Sequence, residues 1–239
     1  MVFGAGVGPC PNTVHYRSMH ISFDFDYTLA DSSGGTIACA NYALEALRMP
    51  TADPEAIRKT IGLSLEKTFK VLSGNAQSDA AAEFKRQFLI RAEQVMLEHI
   101  RFYDDSQLVL ESLKRDGHYV SIVSTKIKKR IEEALQRDEF SEFVDDIIGG
   151  DCVQNNKPDP EGLLMAIQTS GLPSQQTLYV GDSVADGECA HNAGVDFIGL
   201  LSGTTSANEL NRWNPRAVLD GVGELANLNA LITDRHSGG

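Results

Sequence analysis

The chain reads as an α/β protein, a doubly wound parallel sheet carrying an inserted α-helical cap. Three observations predict this. Short apolar runs rich in β-branched and aromatic residues recur at 20–23, 119–123, 144–148, 178–180 and 195–200, with the length and composition of buried strands. From Gln107 onward these runs alternate with helical patterns, the order expected of parallel strands joined by crossover helices. Between the first and second runs lies a long stretch of helical periodicity without strand character, which is what an insertion over the strand ends would give.

Taken in order, residues 1–18 are rich in Gly and Pro with Arg17 as their one basic group, too weak a pattern for a secretory or mitochondrial signal. A flexible extension is expected there, upstream of a start at Met19. The first strand, His20 to Phe23 extended by Phe25, stops at Asp24 and Asp26. The cap is placed at 35–103 and the core domain at 19–34 and 104–239. Within the cap, Ile37, Ala40, Leu44 and Leu47 mark a helix over 36–47, which Pro50 and Pro54 separate from the next. Ile57, Ile61, Leu65 and Phe69 give that next helix one apolar face. Ser73-Gly74-Asn75 is a break, and 80–99 reads as a single helix.

The core resumes with a helix at 108–115 stopped by Gly117, a strand at 119–123 and a helix at 127–136. A strand at 144–148 follows, then a helix at 160–169 opened by Asp159 and closed by Gly171. Strands at 178–180 and 195–200 flank a helix at 186–192 that Gly194 stops. An edge strand at 217–219 and a last helix at 223–232 complete the reading.

Composition narrows the function. A length of 239 residues fits one large domain or a core with an insert. The net charge of −12 argues against nucleic acid and against an anionic membrane surface as partners, while a few local cations still suffice for a small anionic ligand. No stretch approaches the length of apolar chain that spans a bilayer. The four cysteines (Cys10, Cys39, Cys152, Cys189) form no C-x-x-C pair, which fits a reduced cytoplasmic compartment. The six histidines lack metal-binding spacing and are expected to be structural or exposed.

The chemistry lies in four loops. Asp24, Asp26 and Thr28 follow the first strand; Ser124-Thr125-Lys126 follow the strand at 119–123; Lys157 and Asp159 come after the strand at 144–148; Gly181-Asp182-Ser183 and Asp186 follow the strand at 178–180. In an open parallel sheet ligands bind beyond the carboxyl ends of the strands, so topology brings these residues to one edge. Two like charges 4 Å apart repel by roughly 4 kcal/mol at an effective dielectric of 20. Asp24, Asp26, Asp182 and Asp186 in one cleft, with a phosphomonoester added, therefore exceed what Lys157 can offset. A hard divalent cation with oxygen ligands is required, and Mg²⁺ is the usual one with phosphates.

These residues resemble the haloacid dehalogenase superfamily. The resemblance rests on D-x-D-x-T-L at Asp24–Leu29, a hydroxyl at Thr125, K-P-x-P at Lys157–Pro160 and G-D-S-x-x-D at Gly181–Asp186. It spans about residues 20–190, with the helical insert placed as in phosphoglycolate phosphatases and their relatives. It implies a Rossmann-like core and a phosphatase acting through an aspartyl-phosphate. Asp24 would be the nucleophile and Asp26 the acid and base. Thr125 and Lys157 would hold the phosphoryl oxygens. Mg²⁺ would take the Asp24 carboxylate, the Asp26 main-chain carbonyl and the Asp182 carboxylate. Asp186 would orient a metal-bound water or Lys157, with Ser183 beside it, and Thr28 would brace the loop.

Two positions depart from the family pattern. Tyr27 stands where Gly is common, and Lys126 where Asn is common. A bulky Tyr27 would narrow the entrance or pack beneath the cap. Lys126 either reaches a substrate anion or simply begins the solvated run Lys128, Lys129, Arg130. The expected partner is a small phosphorylated metabolite, the expected state a monomer or homodimer. A sugar phosphomutase of the β-phosphoglucomutase kind is the nearest alternative. A haloacid dehalogenase fits less well, because it has no leaving alkoxide for Asp26 to protonate.

Overall fold

The computed structural model describes residues 18–74 and 77–228; the expectation for 1–18 lies outside these, apart from Ser18. The strands are β1 (His20–Phe23), β2 (Ala30–Asp31), β3 (Arg101–Phe102), β4 (Tyr119–Val123), β5 (Asp146–Ile148), β6 (Thr177–Gly181), β7 (Asp196–Leu200) and β8 (Ala217–Leu219). The helices are α1 (Ser33–Ala46), α2 (Pro54–Arg58), α3 (Leu65–Ser73), α4 (Ser78–His99), α5 (Ser106–Arg115), α6 (Lys128–Arg137), α7 (Glu161–Ser170), α8 (Val184–Ala193) and α9 (Ala207–Leu210).

Six strands form one sheet in the order β5-β4-β1-β6-β7-β8, every neighbouring pair parallel. The chain runs outward from β1 in both directions, so the crevice where strand order reverses lies at the carboxyl end of β1. The register sets Phe23 opposite both Ile122 and Val180, which puts Asp24 level with the ends of its two neighbours. Strands covered on both faces must be apolar nearly throughout, and β1 and β6 are buried along their whole length. The polar exceptions satisfy one another. His20 Nε2 is 2.7 Å from Ser121 Oγ, and Ser121 Oγ is 3.0 Å from Ser22 Oγ. Burial pushes the His20 imidazole down to about 4, so it is neutral in the sheet.

Helices α1 to α4 fill the interval between β1 and α5. Three details differ from the sequence reading. The apolar face over 57–69 belongs to two helices, because Gly62 adopts φ 90° and Ser64 caps a new helix by accepting from Lys67 N–H. The chain enters and leaves the helical block through a two-stranded antiparallel pair, Ala30 opposite Phe102 and Asp31 opposite Arg101, too short to show a periodicity. The last helix is replaced by 3-10 turns over Val222–Asn227. Val222, Leu225 and Leu228 are its buried residues; a spacing of three suits 3-10 geometry, not the α-helix. Residues 229–232 lie outside the described residues. Among the described residues no helix is long and apolar enough to cross a membrane.

Candidate active site

The loop after β1 folds tightly on itself. Phe25 O accepts from the N–H groups of Thr28, Leu29 and Ala30, and Tyr27 N–H donates to Ala30 O at 2.7 Å. This turn puts Tyr27 at φ 61°, a left-handed conformation that most side chains disfavour. That explains why Gly is common here, and Tyr27 is held in place by burying its ring. Asp24 N–H donates to Val180 O at 2.8 Å, fixing the first carboxylate at the sheet edge.

Lys157 lies at the centre of the acidic group. Its Nζ is 2.8 Å from Asp24 Oδ1 and 2.6 Å from Asp186 Oδ1, and it donates to the Tyr179 hydroxyl at 3.1 Å. Tyr179 in turn donates to Val123 O at 2.8 Å. The second oxygen of Asp186 accepts from Ser183 N–H (3.0 Å) and Ser183 Oγ (2.6 Å). This is also the capping box that starts α8, so the helix begins at Val184, earlier than the sequence suggested. Thr28 Oγ1 donates to Asp182 Oδ1 at 3.3 Å.

Oxygens of Asp24, Asp182 and Asp186 lie within 4.8 Å of one another, and all three residues are buried. Burial, against the pull of Lys157, raises the Asp24 carboxyl to about 6. Burial and the neighbouring Asp186 and Asp24 charges raise Asp182 well above the carboxylate range. Burial would lower the Lys157 ammonium, but Asp186 and Asp24 outweigh it and hold the proton firmly.

The donors present fit a hard divalent cation. Both oxygens of Asp186 are already hydrogen-bonded, whereas the one polar side-chain contact of the Asp24 carboxylate among the described residues is that of its Oδ1 with the Lys157 ammonium. A side chain at Gly203 would strike Asp182 Oδ2, and one at Gly181 would strike Asp186; glycine at both places leaves room for the carboxylates. Asp24 and Asp182 are thus placed to hold such a cation, with Asp186 anchoring Lys157.

Asp26 takes a different direction. Ser32 Oγ donates to its Oδ1 at 2.5 Å, and Lys126 Nζ lies 3.0 Å from its Oδ2. Asp26, Thr125 and Lys126 line a cavity of about 110 Å³ partly covered by residues of α1, α3, α4 and the 60–63 turn. The 153–160 segment that carries Lys157 also borders an open groove of about 710 Å³, lined by Lys67, Asn155 and Asn156 among others. A wider groove of about 910 Å³ beside Arg101, Tyr103 and Arg137 holds none of these side chains.

A family model for haloacid dehalogenase-like hydrolases matches residues 21–200. The chain belongs to that family. A phosphoglycolate phosphatase of Pseudomonas putida is 30% identical over 205 residues, 84% of this chain and 75% of the relative. A phosphoglycolate phosphatase of Pseudomonas syringae pv. tomato is 29% identical over 210 residues, 86% of this chain and 77% of that protein. Among solved structures, one described as a haloacid dehalogenase-like hydrolase from Bacteroides fragilis superposes with a TM-score of 0.85 at 36% identity, covering 87% of this chain and all of that one (100%).

In this hydrolase the structure brings Asp24, Lys157, Asp182, Asp186, Thr28 and Ser183 into one network, and sets Asp26 with Thr125 along the cavity. Sequence reasoning missed Tyr179 and the pairing of Lys126 with Asp26, and it noted Ser32 as a hydroxyl near the active loop without giving it the Asp26 contact. It placed Ser124 in the same loop as Thr125 but gave it no role; Ser124 directly follows β4, is buried, and accepts from Lys126 N–H at 3.3 Å. Lys126 is thus not the start of a solvated run. Nor is Arg130 solvated: it is buried, 2.5 Å from Glu93 of α4 and 2.6 Å from Glu133. Only Lys129 of that run is exposed, with Lys128 half-buried. Among the four cysteines, Cys39, Cys152 and Cys189 are free thiols, and Cys10 lies outside the described residues.

Proposed function

We propose that this hydrolase is a Mg²⁺-dependent phosphomonoesterase acting on a small phosphorylated metabolite, a phosphatase of the kind its phosphoglycolate phosphatase relatives are named for. The observation that carries this is the buried set of Asp24, Asp182 and Asp186 around the single ammonium of Lys157, with Asp26 turned toward a small, partly covered cavity. The bound Mg²⁺ would supply positive charge to the phosphoryl oxygens. Asp24 would attack phosphorus, forming a P–O bond to its carboxylate as the ester P–O bond breaks. Asp26 would give its proton to the departing oxygen, then take one from the water that hydrolyses the aspartyl-phosphate. Lys157 and Thr125 would hold the phosphoryl oxygens, and the main-chain carbonyl of Asp26 would complete the protein's share of the metal ligands.

The helical segment 35–103 is proposed as a cap over a core of 19–34 and 104–239, hinged at the β2–β3 pair. Cytoplasmic residence is part of the same proposal and is supported by the free thiols. A monomeric or homodimeric state is expected. The experiment is phosphate release from a panel of phosphorylated metabolites with Mg²⁺ and with EDTA. Metal-dependent release without a bisphosphate activator supports the phosphatase; no release from any ester overturns it. A phosphomutase would need the bisphosphate.

A further inference from the structure

The cavity beside Asp26 says what kind of alcohol leaves. This inference rests on the phosphatase reading, in which Asp26 protonates the departing oxygen and the leaving group therefore occupies the space Asp26 lines. That space is about 110 Å³, smaller than the roughly 150 Å³ apolar cavity that takes one benzene. Its walls are largely apolar, with Ile61, Leu63, Phe88, Leu89 and Met96 among them. A hexose or a nucleoside would have to extend out of this space.

Charge and hydrogen-bond direction narrow it further. Lys126 is the one cation among the described lining residues. It already faces Asp26 Oδ2 at 3.0 Å and Ser32 Oγ at 3.3 Å, so the ammonium is balanced before any ligand enters. Three threonines of the wall have committed their hydroxyl protons to the main chain. Thr36 donates to Ser32 O at 3.3 Å, Thr60 to Ile57 O at 2.7 Å, and Thr68 to Thr60 O at 3.5 Å. A hydroxyl has one proton to donate but two lone pairs; these three can receive a hydrogen bond from a ligand and have none to give. The fourth, Thr125, keeps its proton, but in the phosphatase reading that proton goes to the phosphoryl group, so a leaving-group carboxylate would lack the donors it needs, which is costly. A hydroxyl of the ligand finds the acceptors it needs.

We infer that the preferred leaving group is a small uncharged alcohol of about six non-hydrogen atoms or fewer, whose further polar groups are hydrogen-bond donors. The decisive comparison is 2-hydroxyethyl phosphate against phosphoglycolate, which differ in presenting CH₂OH or COO⁻ to the same walls. With Mg²⁺, kcat/KM is expected to be at least about tenfold higher for the hydroxyethyl ester, and glucose 6-phosphate and AMP should be poorer than both. A Leu63→Arg variant, altered at a half-buried turn position, should move the preference toward phosphoglycolate by a similar factor. Phosphoglycolate equalling or exceeding the hydroxyethyl ester in the unmodified enzyme, or a sugar phosphate exceeding it, overturns the inference. Acetyl phosphate separates this from the underlying reading, because its leaving group needs little from Asp26 or from the cavity walls. Turnover of acetyl phosphate with the wrong ester preference sinks the inference alone. Failure with acetyl phosphate and every ester sinks the phosphatase as well.

Discussion

Lys126 Nζ lies 3.0 Å from Asp26 Oδ2, and both side chains are 9% exposed. Two residues that the sequence places 100 positions apart thus form a nearly buried ion pair on the wall of the cavity of about 110 Å³. With Ser32 on its other oxygen, Lys126 fixes the Asp26 carboxylate on the lining of the space where, in the proposed reaction, a leaving oxygen would sit.

Removing one member of such a pair strands the other, so Lys126→Met should destabilise the protein by about 2–3 kcal/mol. The Asp26→Asn, Lys126→Met double variant should recover most of that loss, because no charge is then left unpaired. Urea unfolding of the four proteins in a double-mutant cycle measures the coupling. Additive losses would show that the pair contributes nothing.

How much of this was legible in the sequence follows from how each feature is encoded. The parallel sheet was readable because each strand is buried on both faces and so consists of a bounded apolar run, as at Val120–Val123 and Leu178–Val180. The carboxylates and Lys157 were readable because topology alone brings strand ends together. The Lys126–Asp26 pair was not, since Lys126 opens a run of basic residues whose periodicity resembles a solvated helix. The cavity wall at 60–63 was hidden for a similar reason: Ile57, Ile61 and Leu65 keep helical spacing through a turn that Gly62 breaks. The β2–β3 pair was hidden because two residues a side carry no pattern.

Asp24→Asn should abolish turnover, by about 10⁴-fold or more in kcat, since an amide cannot attack phosphorus. The fold should survive. Three buried acids share one lysine here, so the metal-free variant should melt no lower than the parent at pH 7. Scanning calorimetry in EDTA checks this. A large drop in Tm would mean that Asp24 is held by interactions beyond those described.

Two hydroxyls stand at the end of β4. Thr125 lines the cavity with Asp26, while Ser124 is buried and fixed by the Lys126 N–H. Each retains a proton to give to a phosphoryl oxygen, and a hydrogen bond to such a charged group contributes about 1.5–3 kcal/mol. Alanine at either position should therefore lower kcat/KM by about tenfold or more, measured on the best ester. A loss confined to Ser124→Ala would transfer the phosphoryl-holding role from Thr125 to Ser124.

Metal and proton compete for the same oxygens, which fixes the pH dependence of stabilisation by Mg²⁺. The Asp24 carboxyl is raised to about 6 from an ordinary 3.8. A raised acid contributes stability that is complete below its unfolded value and is lost as pH rises through its folded value. In the metal-free protein Asp24 is therefore most favourable near pH 4 and opposes folding at pH 7 and above; Asp182, also raised, has the same sign. His20 works the other way. Its imidazole is lowered to about 4, so its contribution is present above 6.5 and lost as pH falls from there toward 4. The two trends oppose each other between pH 4 and 6, so the stability of the metal-free protein alone is a poor readout. The increment in Tm on adding Mg²⁺ isolates the carboxylates, because Mg²⁺ binds only the ionised site and His20 cancels in the difference. That increment should be large at pH 8 and shrink steeply below pH 6. Activity should fall over the same interval, because a protonated Asp24 neither holds the metal nor attacks phosphorus. An increment that does not change between pH 5 and 8 would place the metal away from Asp24 and Asp182.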